Sequence, residues 1–126
     1  LHVRGRRQRQ MCIRDRGNTV AAGMMREHPD LVALLAGNDS MALGAVAAVK
    51  AAGKTGKVQV VGYDNIGAIK PMLADGRVLA TADQYAAKQA VFGIELAQKA
   101  LAAKTPQNQL PATVKTDVVL VTKDSK

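Results

Sequence analysis

The sequence predicts an α/β fold, a parallel sheet flanked by helices. Short apolar runs rich in valine and leucine recur at 31–35, 58–62 and 78–81. Longer segments with apolar residues at helical spacing separate them, and that alternation is the pattern of βα units. Most of these runs end in a turn of glycine, asparagine or aspartate.

Taken in order, Asn18-Thr19 can cap a first helix that reaches about His28, where Pro29-Asp30 close it. Leu31-Val32-Ala33-Leu34-Leu35 is a continuous apolar run, as in a strand buried on both faces. After the Gly37-Asn38-Asp39-Ser40 turn, a helix runs to about Ala52, with Met41, Ala45 and Val49 in one stripe and Gly53 as its left-handed cap. Val58–Gly62 is the second strand. Tyr63-Asp64-Asn65 leads into a helix ending near Ala74, which Pro71 should kink or restart. Asp75-Gly76 turns the chain into the strand Val78–Thr81, and Asp83-Gln84 open a long helix over about 86–103. Its residues Ala87, Ala90, Val91, Ile94, Ala97 and Leu101 share one face. Thr105–Thr113, with Pro106 and Pro111, reads as an irregular connection before a last strand over about 114–121.

At 126 residues and 48% apolar content, the chain suits one compact unit with a core. Aromatics are 2%, too few for a surface of stacking platforms, so nucleic acid is not an expected partner. The net charge of +8 is concentrated in residues 1–16, which hold six arginines and one aspartate. Residues 17–126 carry 12 basic and 9 acidic groups, a near-balanced body. The single cysteine, Cys12, also lies in the first sixteen residues, and a cysteine-free body suits an oxidising compartment. LHVRGRRQRQMCIRDR shows no hydrophobic period, cap or signal-peptide core. As a basic arm it could touch phosphates, but RRQRQMCIRDR resembles translated sequencing-adaptor sequence. Residues 1–16 are therefore expected to be a non-native arm.

In open parallel sheets ligands bind beyond the C-terminal strand ends. Asn38, Asp64 and Gln84 follow three successive strands at spacings of 26 and 20 residues, each a whole βα unit. Amides and a carboxylate offer donors and acceptors in fixed planes, which suits the hydroxyls of a neutral sugar. Any one of them alone reads more simply as a helix cap or turn residue. Three in register favour a substrate-binding site.

Gly37-Asn38-Asp39-Ser40-Met41-Ala42-Leu43-Gly44-Ala45, then Val60-Val61-Gly62-Tyr63-Asp64, then Gly76–Gln84, resemble in order and spacing the signatures of ribose-type periplasmic sugar-binding proteins of ABC transporters. Val118–Lys123 resembles the last strand of that family. The resemblance implies a partial type I periplasmic-binding-protein-like fold and a C-terminal fragment of a longer, two-lobed chain. Residues 17–84 would belong to the second lobe, 85–116 to the first, and 117–126 to a return strand and tail. It implies that Asn38, Asp64 and Gln84 hydrogen-bond a monosaccharide, with Gln84 more ribose-like than glucose-like. It further implies a membrane permease as partner, a periplasmic location whose signal peptide lies upstream, a monomer when complete, and no catalysis or cofactor. The alternative is the effector-binding domain of a lactose-repressor-like regulator, which shares the Asn-Asp and Gly-aromatic-Asp steps. Those repressors would place Pro-x-Asp where this chain has Gly56-Lys57-Val58-Gln59.

Other signals point nowhere. Gly53-Lys54-Thr55 has Ala48 where a P-loop needs glycine, and it leads from helix to strand rather than the reverse. His2 and His28 lack spaced metal-ligand partners, and Ser40 lacks a nucleophile elbow and a partner histidine. Asp64 could suggest a phospho-accepting receiver, but the acidic cluster that would hold its magnesium is not visible. Met24, Met25 and Met41 read as core residues.

Overall fold

The computed structural model describes residues 2–125, with side chains from Ile13 onward except Gln107. The side chains of Arg4–Arg9 and of Cys12, which figure in the charge and cysteine readings, lie outside the described residues. The elements are α1 (His2–Glu27), β1 (Ala33–Leu35), α2 (Asp39–Ala51), β2 (Gln59–Tyr63), a 3-10 turn (Gly67–Ile69), α3 (Lys70–Ala74), β3 (Ala80–Asp83), α4 (Ala86–Ala102), a 3-10 turn (Gln107–Gln109) and β4 (Val119–Val121).

The strands form one sheet in the order β1-β2-β3-β4. β1, β2 and β3 are mutually parallel, with Leu34 opposite Val60 and Gly62 opposite Thr81. β4 runs antiparallel to β3, pairing Thr81 with Val121 and Asp83 with Val119, so the sheet is mixed rather than wholly parallel. From β3 the chain passes through α4, a 3-10 turn and an irregular stretch, and β4 returns along the outer edge of β3 in the opposite direction.

The caps follow local chemistry. The Asn38 side-chain carbonyl accepts the Met41 N–H at 2.9 Å and starts α2. Gly53 takes φ 66°, and the Gly53 and Lys54 N–H groups close back on Lys50 and Val49, a Schellman end. Pro71 sits in the first turn of α3, so it restarts the helix after the 3-10 turn rather than kinking it.

One core joins Ala21 and Met25 of α1, Ala42, Val46 and Val49 of α2, Val60 of β2, Ile69, Leu73 and Val78. α1 and α2 meet backbone to backbone: a Cβ on Gly44 would lie 2.1 Å from the Arg14 carbonyl oxygen. On Gly17 it would lie 2.8 Å from the Met41 carbonyl oxygen.

Four expectations need correction. The first helix does not start at Asn18 but extends back through the basic arm to His2. Arginine, glutamine and methionine are good helix formers, and extending a helix already anchored at 17–27 avoids the cost of nucleation. β1 is not buried on both faces: Leu35 is 81% exposed and Val32 70%. Helices normally cover both faces of a parallel sheet, and no described residue covers this side or pairs with the outer edge of β1. Met24 and Met41 are exposed and only Met25 is buried, because their helix faces look towards that same open side. The last strand is three residues long rather than eight. α4 matches its expected range but has no buried residue, and Val91, Ile94 and Leu101 stand open to solvent.

Candidate sugar-binding rim

β1, β2 and β3 run in the same direction, so their C-terminal ends share one edge of the sheet. Asn38 follows β1 by three residues, Asp64 follows β2 directly, and Gln84 follows β3 directly. All three are partly exposed. The structure joins two of them: the Gln84 amide donates to Asp64 Oδ1 at 2.9 Å. Tyr63 donates its hydroxyl to Gln84 Oε1 at 3.4 Å, fixing the orientation of that amide. Asn38 has no direct bond to the other two. Its carbonyl is occupied as the cap of α2, while its Nδ2 donors have no protein partner among the described residues.

The backbone at the rim is strained. Asp64 lies at φ 106°, Asn65 at 51° and Tyr85 at 51°. Asparagine tolerates the left-handed region, whereas aspartate at 106° and tyrosine at 51° each cost about 1–3 kcal/mol. Such conformations persist where neighbours over-determine them. Asp83 supplies part of that determination: it accepts the Tyr85 N–H at 2.8 Å and the Asn65 amide at 3.0 Å. The Asn65 side-chain bond is the main reason its carboxyl is held below the usual aspartate range, with the Tyr85 N–H second. Asn65 Oδ1 is buried without a partner among the described residues.

In the sequence Asp39 is one residue of a polar turn, yet it is fully buried. It accepts the Thr81 hydroxyl at 2.7 Å on Oδ1 and the Ile66 N–H at 2.9 Å on Oδ2. Gly62, inside β2, was the available signal, because glycine within a strand often marks a close approach. Here the approach is Asp39 itself, whose Oδ1 would stand 2.0 Å from a Cβ at 62.

Asp64 has its carboxyl raised above the ordinary 3.8, first by desolvation and then by the Asp39 charge, with the Gln84 hydrogen bond opposing both. A raised value means that the folded chain holds this proton more tightly than the unfolded chain, so ionisation destabilises the fold. Asp64→Asn removes that cost while keeping an acceptor for Gln84. The variant should melt at a higher temperature than the parent at neutral pH. The gap should close as pH falls through the raised folded-state value and on below 3.8, where Asp64 is protonated in the folded and the unfolded chain alike. Melting curves across that range check it, and a gap that widens in acid contradicts it.

Residues 3–105 match the family described as periplasmic binding protein domain. The chain belongs to that family. Over 86% of its length it is 69% identical to the D-ribose/D-allose-binding protein of Pseudomonas aeruginosa, covering 34% of that protein. It is 36% identical to the ribose import binding protein RbsB of Salmonella typhimurium, over 81% of this chain and 34% of that one. An ABC transporter solute-binding protein from Burkholderia multivorans superposes with a TM-score of 0.82 at 68% identity, over 86% of this chain and 38% of that structure. A periplasmic solute-binding protein from Actinobacillus succinogenes, solved with D-allose bound, gives 0.78 at 34% identity, over 87% and 37%. The fold is therefore part of a type I periplasmic binding protein, and the chain spans about a third of the curated relatives' length.

Proposed function

We propose that residues 17–126 form the C-terminal part of the solute receptor of an ABC sugar importer. In this reading a ribose-like monosaccharide is held between two lobes and delivered to a membrane permease. The observation that carries it is the shared rim, where Asp64 and Gln84 are already bonded and Asn38 offers free donors on the same sheet edge. Asn38, Asp64 and Gln84 are the proposed sugar contacts. The names of the relatives, a D-ribose/D-allose-binding protein and ribose import proteins, support transport over the repressor alternative. The D-allose bound by the Actinobacillus protein supports an aldose as ligand class.

The mechanism is capture and closure. Sugar contacts from both lobes favour the closed form, and that form docks on the permease. No bond is made or broken, no cofactor is needed, and the complete receptor works as a periplasmic monomer. The lobe division at 84–85 is supported by the left-handed φ of Tyr85 and by an α4 that buries nothing against the sheet. Its apolar stripe is then the surface that the rest of the first lobe covers. Residues 1–16 are proposed to be translated adaptor sequence, and genomic DNA from the source should lack a coding match to them. A match would restore the basic arm.

Calorimetry of D-ribose and D-allose with the complete receptor tests the function, and binding of neither overturns it. The 17–126 peptide alone should show no measurable heat at millimolar sugar. Three contacts on one wall cannot desolvate a ligand, although a hydrogen bond to a charged group contributes about 1.5–3 kcal/mol. Tight binding by the isolated peptide contradicts the two-lobe reading.

A further inference from the structure

We infer that Asp39 is a positioning residue of the rim, holding the turn that presents Asp64. The inference rests on the sugar-site reading above and adds to it a group that would touch no sugar.

Two successive backbone N–H groups after Asp64 need partners because the chain leaves the sheet there. The Ile66 N–H bonds directly to Asp39 Oδ2 at 2.9 Å. The Asn65 N–H points to the Thr81 hydroxyl oxygen at 3.4 Å, and that hydroxyl donates onward to Asp39 Oδ1 at 2.7 Å. One carboxylate from the first residue of α2 therefore gathers the turn after β2 and a side chain of β3. It ties together all three strand ends that carry Asn38, Asp64 and Gln84. Asp39 and Thr81 are both fully buried. A carboxylate in that position is costly to desolvate, and an apolar side chain could fill the space at less cost. What the apolar side chain could not do is hold residues 64–66 with Asp64 at φ 106°.

Gly62 supports this. Its backbone sits beside Thr81 in the sheet register, and a Cβ there would collide with Asp39 Oδ1 at 2.0 Å and meet Ala42 Cβ at 3.3 Å. β2 thus lacks a side chain at the one point where the carboxylate must reach across it. Asn38 and Asp39 divide the work: the first caps α2 and faces the rim, and the second turns inward to fix the neighbouring turn.

The test uses the complete receptor and D-ribose titrations on Asp39→Asn, Thr81→Val and Val60→Ala. Asparagine cannot accept both the Thr81 hydroxyl and the Ile66 N–H, and valine keeps the size of threonine without its hydroxyl. Each should weaken D-ribose by about tenfold or more, the scale of one hydrogen bond to a charged group. Val60→Ala, a fully buried core change away from the turn, should lower the melting temperature but change affinity less than about twofold, since distant sites act independently. The Ile66 amide proton should also shift upfield and exchange faster in Asp39→Asn. If Asp39→Asn does not fold, Thr81→Val decides by the same criterion. Folded variants that bind like the parent, or a Val60→Ala loss as large as theirs, overturn the inference alone. A parent that binds neither D-ribose nor D-allose overturns the sugar-site reading and this inference with it.

Discussion

Asp64→Ala in the complete receptor is expected to weaken D-ribose binding more than about a hundredfold. A carboxylate can accept from two sugar hydroxyls, and each charge-assisted bond contributes about 1.5–3 kcal/mol, so losing both costs about 3 kcal/mol or more. At about 1.4 kcal/mol per decade, that is two orders of magnitude in affinity. A second effect adds to the first, because alanine leaves the Gln84 amide without the acceptor it now uses at 2.9 Å. The amide is then free to turn away from the rim, held only by Tyr63 at 3.4 Å. Folding is read separately, because alanine removes a carboxylate whose ionisation burial and Asp39 disfavour, yet must still adopt φ 106° at this position. Isothermal titration and melting of the same sample separate the two. Unchanged affinity would remove Asp64 from the site.

Gly44→Ala is expected to be strongly destabilising. Alanine is the better helix former by about 1 kcal/mol, so propensity alone predicts a gain. The packing opposes it. The new methyl would meet the Arg14 carbonyl oxygen at 2.1 Å, the Asn18 nitrogen at 2.7 Å and the Gly17 carbonyl carbon at 3.1 Å, all of them backbone. No rotamer change can relieve that clash, so α1 must move off α2 and open the core formed by Ala21, Met25 and Val46. Overpacking costs of about 1–3 kcal/mol, at the upper end when only backbone can yield, correspond to a fall in melting temperature of about 10 °C. Gly23→Ala is the control: it lies in α1 with nothing within 4 Å of its new methyl. There the propensity gain should appear, about 0.5–1 kcal/mol. Equal shifts for the two variants would show that α1 does not pack on α2 as described.

These two expectations differ in how visible they were beforehand. The proposed role of Asp64 rests on its place after an apolar run and on its spacing to Asn38 and Gln84. Gly44 looks, in the sequence, like an unremarkable glycine in a helix. Its importance arises only because a second helix crosses at that point. Asp39 is a similar case. Beside Asn38 in a polar turn it reads as one more solvated cap residue, yet it is the buried link between residues 62, 66 and 81. The open face of β1, where Val32 and Leu35 are exposed, is a third case. An apolar run signals that a strand wants cover on both sides but says nothing about which residues provide it.

Local patterns are set by neighbours a few residues apart, and the sequence alone determined what depends on them: the α/β alternation, the turn residues and the common rim of Asn38, Asp64 and Gln84. The tertiary structure decided what depends on atoms far apart in the chain. It placed β4 antiparallel to β3, joined Gln84 to Asp64, and brought Asp39 inward against Gly62 and Thr81. A buried carboxylate can be recognised only when its partners are known, and those partners are 27 and 42 residues away.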